Sequence, residues 1–190
     1  MPANGPRPLR ADAQRNRDRL LEVAVRVLLR DGAEARLDTI AKEAGVGIGT
    51  LYRHFPTREA LIEAAYRNEL DRLCDPVPQL LADLPAQEAL RSWMDRFVEY
   101  MTTKHGMADA LRWLVASGGN PFAHSRDRLV EALGELLAAG AKAGTLRSDV
   151  EPFDVLASLS GVTLVSGELD NREQTGRLLD LLMDGLRPRP

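Results

Sequence analysis

At 190 residues, 44% hydrophobic and 28% charged with a net charge of −3, the chain has the composition of an ordinary soluble globular protein long enough to bury a core. A lone cysteine, Cys74, excludes an internal disulfide; no apolar run approaches the roughly 18 residues that span a membrane; and the polar, proline-rich start lacks a signal peptide's apolar core, so a cytoplasmic protein with no membrane partner is expected. The charge is uneven: residues 1–58 carry 11 Lys and Arg against 7 Asp and Glu, and residues 59–190 carry 14 against 21, which sets positive potential at the end where phosphates would be met.

Sustained period-two alternation is absent and helical spacing dominates, predicting an all-α fold of about nine helices. Residues 1–11 form a polar, basic arm that is expected to be disordered. The first helix starts after Asp12, a good N-cap, buries Leu20, Leu21, Ala24, Val27 and Leu28, and stops near Gly32. Residues 37–58, LDTIAKEAGVGIGTLYRHFPTR, then read as two short helices about a glycine turn. Leu37, Ile40, Ala41 and Ala44 share one face, Gly45 supplies the left-handed backbone that ends a helix, and Val46, Leu51 and Phe55 resume an inward face. Thr50, Tyr52, Arg53 and His54 are left pointing outward, a surface suited to phosphates and base edges. This is the arrangement a helix-turn-helix needs. Gly47 and Gly49 each cost a helix about 1 kcal/mol relative to Ala, which fits either close backbone approach to DNA or a helix that firms up on binding.

A fourth helix opens at Thr57, carries Leu61, Ile62, Ala65, Leu70 and Leu73, and ends before Pro76. It would connect a DNA-binding head, residues 12–56, through residues 57–75 to a body at 76–190. The segment 79–84, enclosed by Pro76, Pro78 and Pro85, is the expected domain boundary. Further helices are predicted over 86–104, 107–116, 122–143, 152–167 and 172–186, punctuated by Gly106, by the loop Gly118-Gly119-Asn120-Pro121, and by Gly144.

The stretch AKEAGVGIGTLYRHFPTREAL resembles the DNA-binding signature of TetR-type bacterial transcriptional regulators, with the likeness running over residues 17–65 and continuing beyond them only in length, helical content and layout. The resemblance implies a homodimer whose three-helix heads bind a near-palindromic operator and whose C-terminal helical domain dimerises and holds an effector pocket. It also puts Ile48, Gly49 and Thr50 in positions that face bases, and Tyr52, His54 and Arg58 in positions that hold phosphates. Residue chemistry agrees. Tyr52 and His54 can donate to phosphate while covering sugar with a ring, Arg58 and Arg53 can clamp the backbone, and Thr50 offers a hydroxyl and a methyl to a base edge. Ile48 has two readings, contact with a thymine methyl or padding for Leu51. Arg15 and Arg17 sit close enough to the head to reach phosphates, whereas Arg7 and Arg10 are either DNA contacts or a solvated tail. The chain departs from the family at Gly47 and near Arg36, where capping hydroxyls are usual.

The last two helices are apolar over more than one face, which requires a partner surface. A homodimer interface at Leu156, Leu159, Ser160, Val162, Leu178 and Leu182 follows. Trp93, Met94, Phe97, Tyr100, Met101, Met107, Trp113, Phe122 and Val165 are either plain core or the lining of an effector pocket. That pocket would suit a small apolar ligand, or a cationic one if Asp95, Glu99 or Asp109 contributes a carboxylate. No catalytic residue, metal site or cofactor is expected: His54, His105 and His124 have no ligand spacing with each other or with Cys74, and GVGIGT follows a helix rather than a strand. The sequence therefore predicts a DNA-binding transcriptional regulator, a homodimeric repressor released from double-stranded operator DNA by a small molecule. The alternatives are an activator without an effector and a helical protein-interaction module.

Overall fold

A computed structural model of the chain describes residues 7–166 and 172–188, except for the side chains of residues 7–11, 33, 165 and 166. Regular structure among the described residues is helical throughout. It comprises α1 (Arg7–Asp31), a 3-10 turn (Gly32–Glu34), α2 (Leu37–Glu43), α3 (Ile48–His54), α4 (Arg58–Cys74), α5 (Val77–Asp83), α6 (Ala86–Gly106), α7 (Ala108–Ala116), α8 (Ser125–Lys142), α9 (Pro152–Ser166) and α10 (Arg172–Gly185). The chain packs as two compact units. The first runs to Asn68 and takes in Thr103–Pro121; the second holds Glu69–Thr102 and the chain from Phe122 onward.

In the first unit α1 lies along the core. Leu20, Leu21, Ala24, Val27 and Leu28 are buried together with Ile40, Ala41 and Ala44 of the α2 region, Leu51 and Phe55 around α3, and Leu61, Ile62 and Ala65 of α4. Helix α2 packs on both α1 and α3, and α7 packs on the 3-10 turn. The start of α1 differs from expectation. It begins at Arg7 rather than after Asp12, so residues 7–11 of the expected arm are helical, and residues 1–6 lie outside the described residues. Pro8 falls in the first turn, where its missing N–H is no loss, and the Leu, Ala, Gln and Arg that follow are strong helix formers. Asp12, expected as the cap, forms an ion pair with Arg15 one turn on. Thr57 does cap α4, accepting from the Ala60 N–H at 3.1 Å.

In the second unit, the proline-bounded segment expected as the domain boundary is a helix. Pro78 sits in its opening turn, and α5 buries Val77 and Leu80 while packing on α8. Trp93 of α6 is fully buried, donates its indole N–H to the Leu73 carbonyl at 3.1 Å and stacks on Phe97 with ring centroids 5.6 Å apart. Arg128 of α8 reaches Asp75 at 2.6 Å and Asp71 at 3.6 Å, and Arg91 of α6 reaches Asp180 of α10 at 3.0 Å. Cys74 is buried, and burial pushes its thiol up to about 11, so the reactive thiolate is scarce at neutral pH. That favours Cys74 as a small core hydrophobe over a redox sensor.

Two glycines make opposite predictions about packing. A Cβ added at Gly140 would overlap the side chain of Leu146, which is itself buried; one added at Gly106 would overlap the tip of Leu29, which is exposed and can swing aside. Gly140→Ala should therefore lower stability by about 1–3 kcal/mol, while Gly106→Ala should be near neutral. Thermal denaturation followed by circular dichroism checks both, and equal melting temperatures for the pair would contradict the packing described.

Candidate nucleic-acid interface

The turn between α2 and α3 is fixed by backbone chemistry. Gly45 adopts φ +68, its N–H donates to the Lys42 carbonyl at 3.1 Å, and the Val46 N–H donates to Ala41 at 3.0 Å. This pair of bonds closes the end of α2 and requires a left-handed residue, which only glycine adopts without strain. Gly47 then leads into α3, with the Thr50 and Leu51 N–H groups both donating to its carbonyl. Leu51 is fully buried and anchors α3, which turns Ile48, Gly49, Tyr52 and Arg53 outward.

The exposed side chains form one face. Ile48 is 38% and Tyr52 48% exposed, which leaves part of the Ile48 side chain open to an outside contact. Thr50 and His54 are half-buried at its edge, and the His54 ring lies 6.2 Å from that of Phe55. Gly47 and Gly49 have ordinary backbone geometry, and a Cβ built on either would meet nothing within 4 Å. Nothing within the described residues demands glycine at these two positions, which leaves room for something from outside to approach the backbone.

Three arginines have partners within the chain. Arg58 does not face outward as a clamp. Its Nη1 donates to the Ala35 carbonyl at 2.7 Å, and its guanidinium lies 5.1 Å from the centre of the Trp113 ring. Its position at the N-terminus of α4 turns it back over the chain entering α2. Arg53 folds along its own helix, donating from Nε to the Gly49 carbonyl at 3.2 Å and from Nη2 to Thr50 Oγ1 at 2.9 Å. Arg15 is exposed and paired with Asp12. Arg17, by contrast, lies beside the helix-turn-helix, 5.8 Å over the Phe55 ring. Arg19 was missed in the sequence. Its guanidinium comes within 3.8 Å of where a Gly45 Cβ would stand. The spacing Arg15, Arg17, Arg19 held no signal for it, because residues two apart on a helix point in different directions.

The remaining expected sets divide. Trp93, Met94, Phe97, Tyr100 and Met101 are buried in the second unit, where Phe122 is partly exposed. Met107 is buried in the first unit, where Trp113 carries the Arg58 guanidinium; the side chain of Val165 lies outside the described residues. On α9, Leu159 is 0% exposed and Leu156 nearly so, which corrects their assignment to an interface: the protomer's own core consumes them. Ser160, Val162, Leu178 and Leu182 are half-buried, and the large apolar side chains that face outward among the described residues of these helices are Phe153 at 43%, Leu164 at 68% and Leu181 at 67%. Among the described residues no cluster of His, Cys, Asp and Glu is placed to hold a metal ion, and no helix is long and apolar enough to cross a membrane.

Comparison with known proteins is consistent along the chain. Residues 20–65 match the model of bacterial regulatory proteins of the tetR family, and residues 85–188 match that of the C-terminal domain of SbtR-like transcriptional regulators. The crystal structure of the TetR transcriptional regulator SCO0520 from Streptomyces coelicolor is similar with a TM-score of 0.86 and 59% identity, covering 92% of this chain and 99% of that one. A TetR transcription regulatory protein from Mycobacterium vanbaalenii follows at 0.78 and 38%, covering 95% and 100%. An HTH-type transcriptional regulator of Staphylococcus aureus is 32% identical over 94 residues, 48% of this chain and 51% of that protein, so the chain spans about half the length of the curated relatives it matches. With its helix-turn-helix head and helical C-terminal half both matched, the chain belongs to the TetR family of bacterial transcriptional regulators, a family of DNA-binding proteins and not of enzymes.

Proposed function

We propose that the protein is a homodimeric repressor that reads a near-palindromic operator through α3 and leaves it when a small molecule binds the C-terminal half. The observation that carries the DNA-binding part is the outward face of α3, where Ile48, Thr50 and Tyr52 stand beside Gly47 and Gly49, two glycines the fold itself does not need. Arg17, over the Phe55 ring, and Arg19, beside Gly45, supply positive charge next to the helix-turn-helix for phosphates. Pairing of two chains is supported by Leu164 and Leu181, exposed apolar side chains on the last two helices. A small apolar effector is supported by the buried Met and aromatic residues of α6, since Met side chains repack readily around an apolar guest.

Fluorescence anisotropy with duplex DNA tests the first part. Affinity should fall steeply between 50 and 200 mM salt, as phosphate neutralisation requires. Tyr52→Ala should weaken specific and non-specific duplexes alike, while Thr50→Ala should lower the ratio between them. Salt-independent binding would favour a helical protein-interaction module instead. Gly49→Ala separates fold from function: it should stabilise α3 by up to about 1 kcal/mol and still weaken DNA binding, because a methyl group would occupy the open space. Unchanged affinity would mean that DNA does not come close there. For the effector, a ligand that binds the native state should raise the melting temperature with concentration and lower operator affinity. An operator complex that activates transcription and ignores every ligand would support the activator reading.

A further inference from the structure

Four hydroxyl groups elsewhere in these helices are tied to their own backbone. Thr102 donates to Val98, Ser158 to Asp154, Ser160 to Leu156 and Thr163 to Ser160, each to a carbonyl three or four residues back. Thr50 does the reverse. Standing in the first turn of α3, it accepts a hydrogen bond from Arg53 Nη2 at 2.9 Å, and its own proton goes to no described residue. Arg53 is held in place by a second bond, from Nε to the Gly49 carbonyl at 3.2 Å.

From this arrangement we propose that Arg53 is a specificity-setting positioning residue that turns Thr50 into a hydrogen-bond donor, so that the pair selects acceptor-bearing base edges and rejects cytosine. The proposal rests on α3 being the reading helix. A free threonine hydroxyl both donates and accepts and so discriminates poorly. Here one lone pair is occupied by a guanidinium N–H. The adjacent positive charge disfavours approach of a second donor and polarises the remaining O–H toward an acceptor. The other N–H groups of Arg53 are donors as well, so the Thr50–Arg53 pair presents donors only. In the major groove guanine shows two acceptors, N7 and O6; thymine shows O4; cytosine shows only the N4 amino donor. The base facing Thr50 should therefore be guanine, then thymine, with cytosine the most disfavoured.

The test is selection by the full-length protein from a randomised duplex library, followed by sequencing and by salt titration of the enriched duplex. For the wild type, one position in each half-site should disfavour cytosine by about tenfold. Thr50→Val, which keeps the shape and the methyl but loses the hydroxyl, should erase that preference. Arg53→Ala, at an exposed site, should relax the same position to about twofold, leaving the other positions and the salt slope as they were. The proposal is overturned if Arg53→Ala weakens all sequences equally and lowers the salt slope by about 1, the signature of a phosphate contact. It is also overturned if the two variants alter different positions. A wild-type selection that enriches no sequence at all would bring down the reading of α3 itself, and this proposal with it.

Discussion

Leu159→Glu should unfold the protein, whereas Leu181→Glu should leave it folded but unable to pair. Leu159 is 0% exposed within a single chain, so the substitution places a carboxylate in apolar packing with no partner. The cost is several kcal/mol, against a total stability of about 5–15 kcal/mol for a domain of ordinary size. Leu181 is 67% exposed on α10, where glutamate remains in water and the protomer loses nothing. In a dimer built on the α9–α10 face, that carboxylate would meet apolar surface from the second copy. Circular dichroism should show loss of helix for Leu159→Glu alone, and sedimentation should find Leu181→Glu monomeric. Operator affinity should then drop by about 100-fold or more, since one head can no longer deliver the other to its half-site. An intact dimer from Leu181→Glu would move the interface off this face.

Arg58→Ala carries the second largest expected effect, and it falls on stability rather than on DNA charge. The substitution removes a charged donor from the Ala35 carbonyl and a cation from the Trp113 ring, losses that together come to about 2–4 kcal/mol. It also unpins three elements of the first unit: the chain entering α2, the start of α4, and α7. Urea unfolding should show the loss, while the salt slope of DNA binding in the folded protein should stay at the wild-type value. A slope lowered by about 1, with stability unchanged, would restore Arg58 to the phosphate-binding role that its family position implies.

These arginines also mark how far the sequence could be read. Within the head, the boundaries that carried their own local chemistry were legible: Gly45 at φ +68 closes α2, and the Thr57 hydroxyl caps α4. Prolines misled in two places for one physical reason. Pro8 and Pro78 look like breakers in a linear chain, but each falls in the first turn of a helix, where proline is tolerated. The interior face of α9 was ambiguous because the helix is apolar on both sides. Val155, Leu159 and Thr163 point inward, while Ala157, Gly161 and Leu164 point out, and only the packing of α8 and α10 against α9 decides which set is core. Arg58 was beyond reach altogether, since its partners Ala35 and Trp113 are brought to it by folding and not by spacing. The outward face of α3 was the most legible part of the candidate site, because one buried residue, Leu51, fixes the direction of its neighbours.

The most direct measurement compares the affinity of the wild-type protein for a duplex enriched from a random library with its affinity for the same duplex scrambled, at 150 mM salt. The ratio should exceed about 10³. It should fall by about 100-fold, tenfold for each half-site, in a Thr50→Val/Tyr52→Ala double variant whose helix content and melting temperature match the wild type. A wild-type ratio near 1, or a double variant that keeps the full ratio, would contradict the assignment of α3 as the surface that reads DNA.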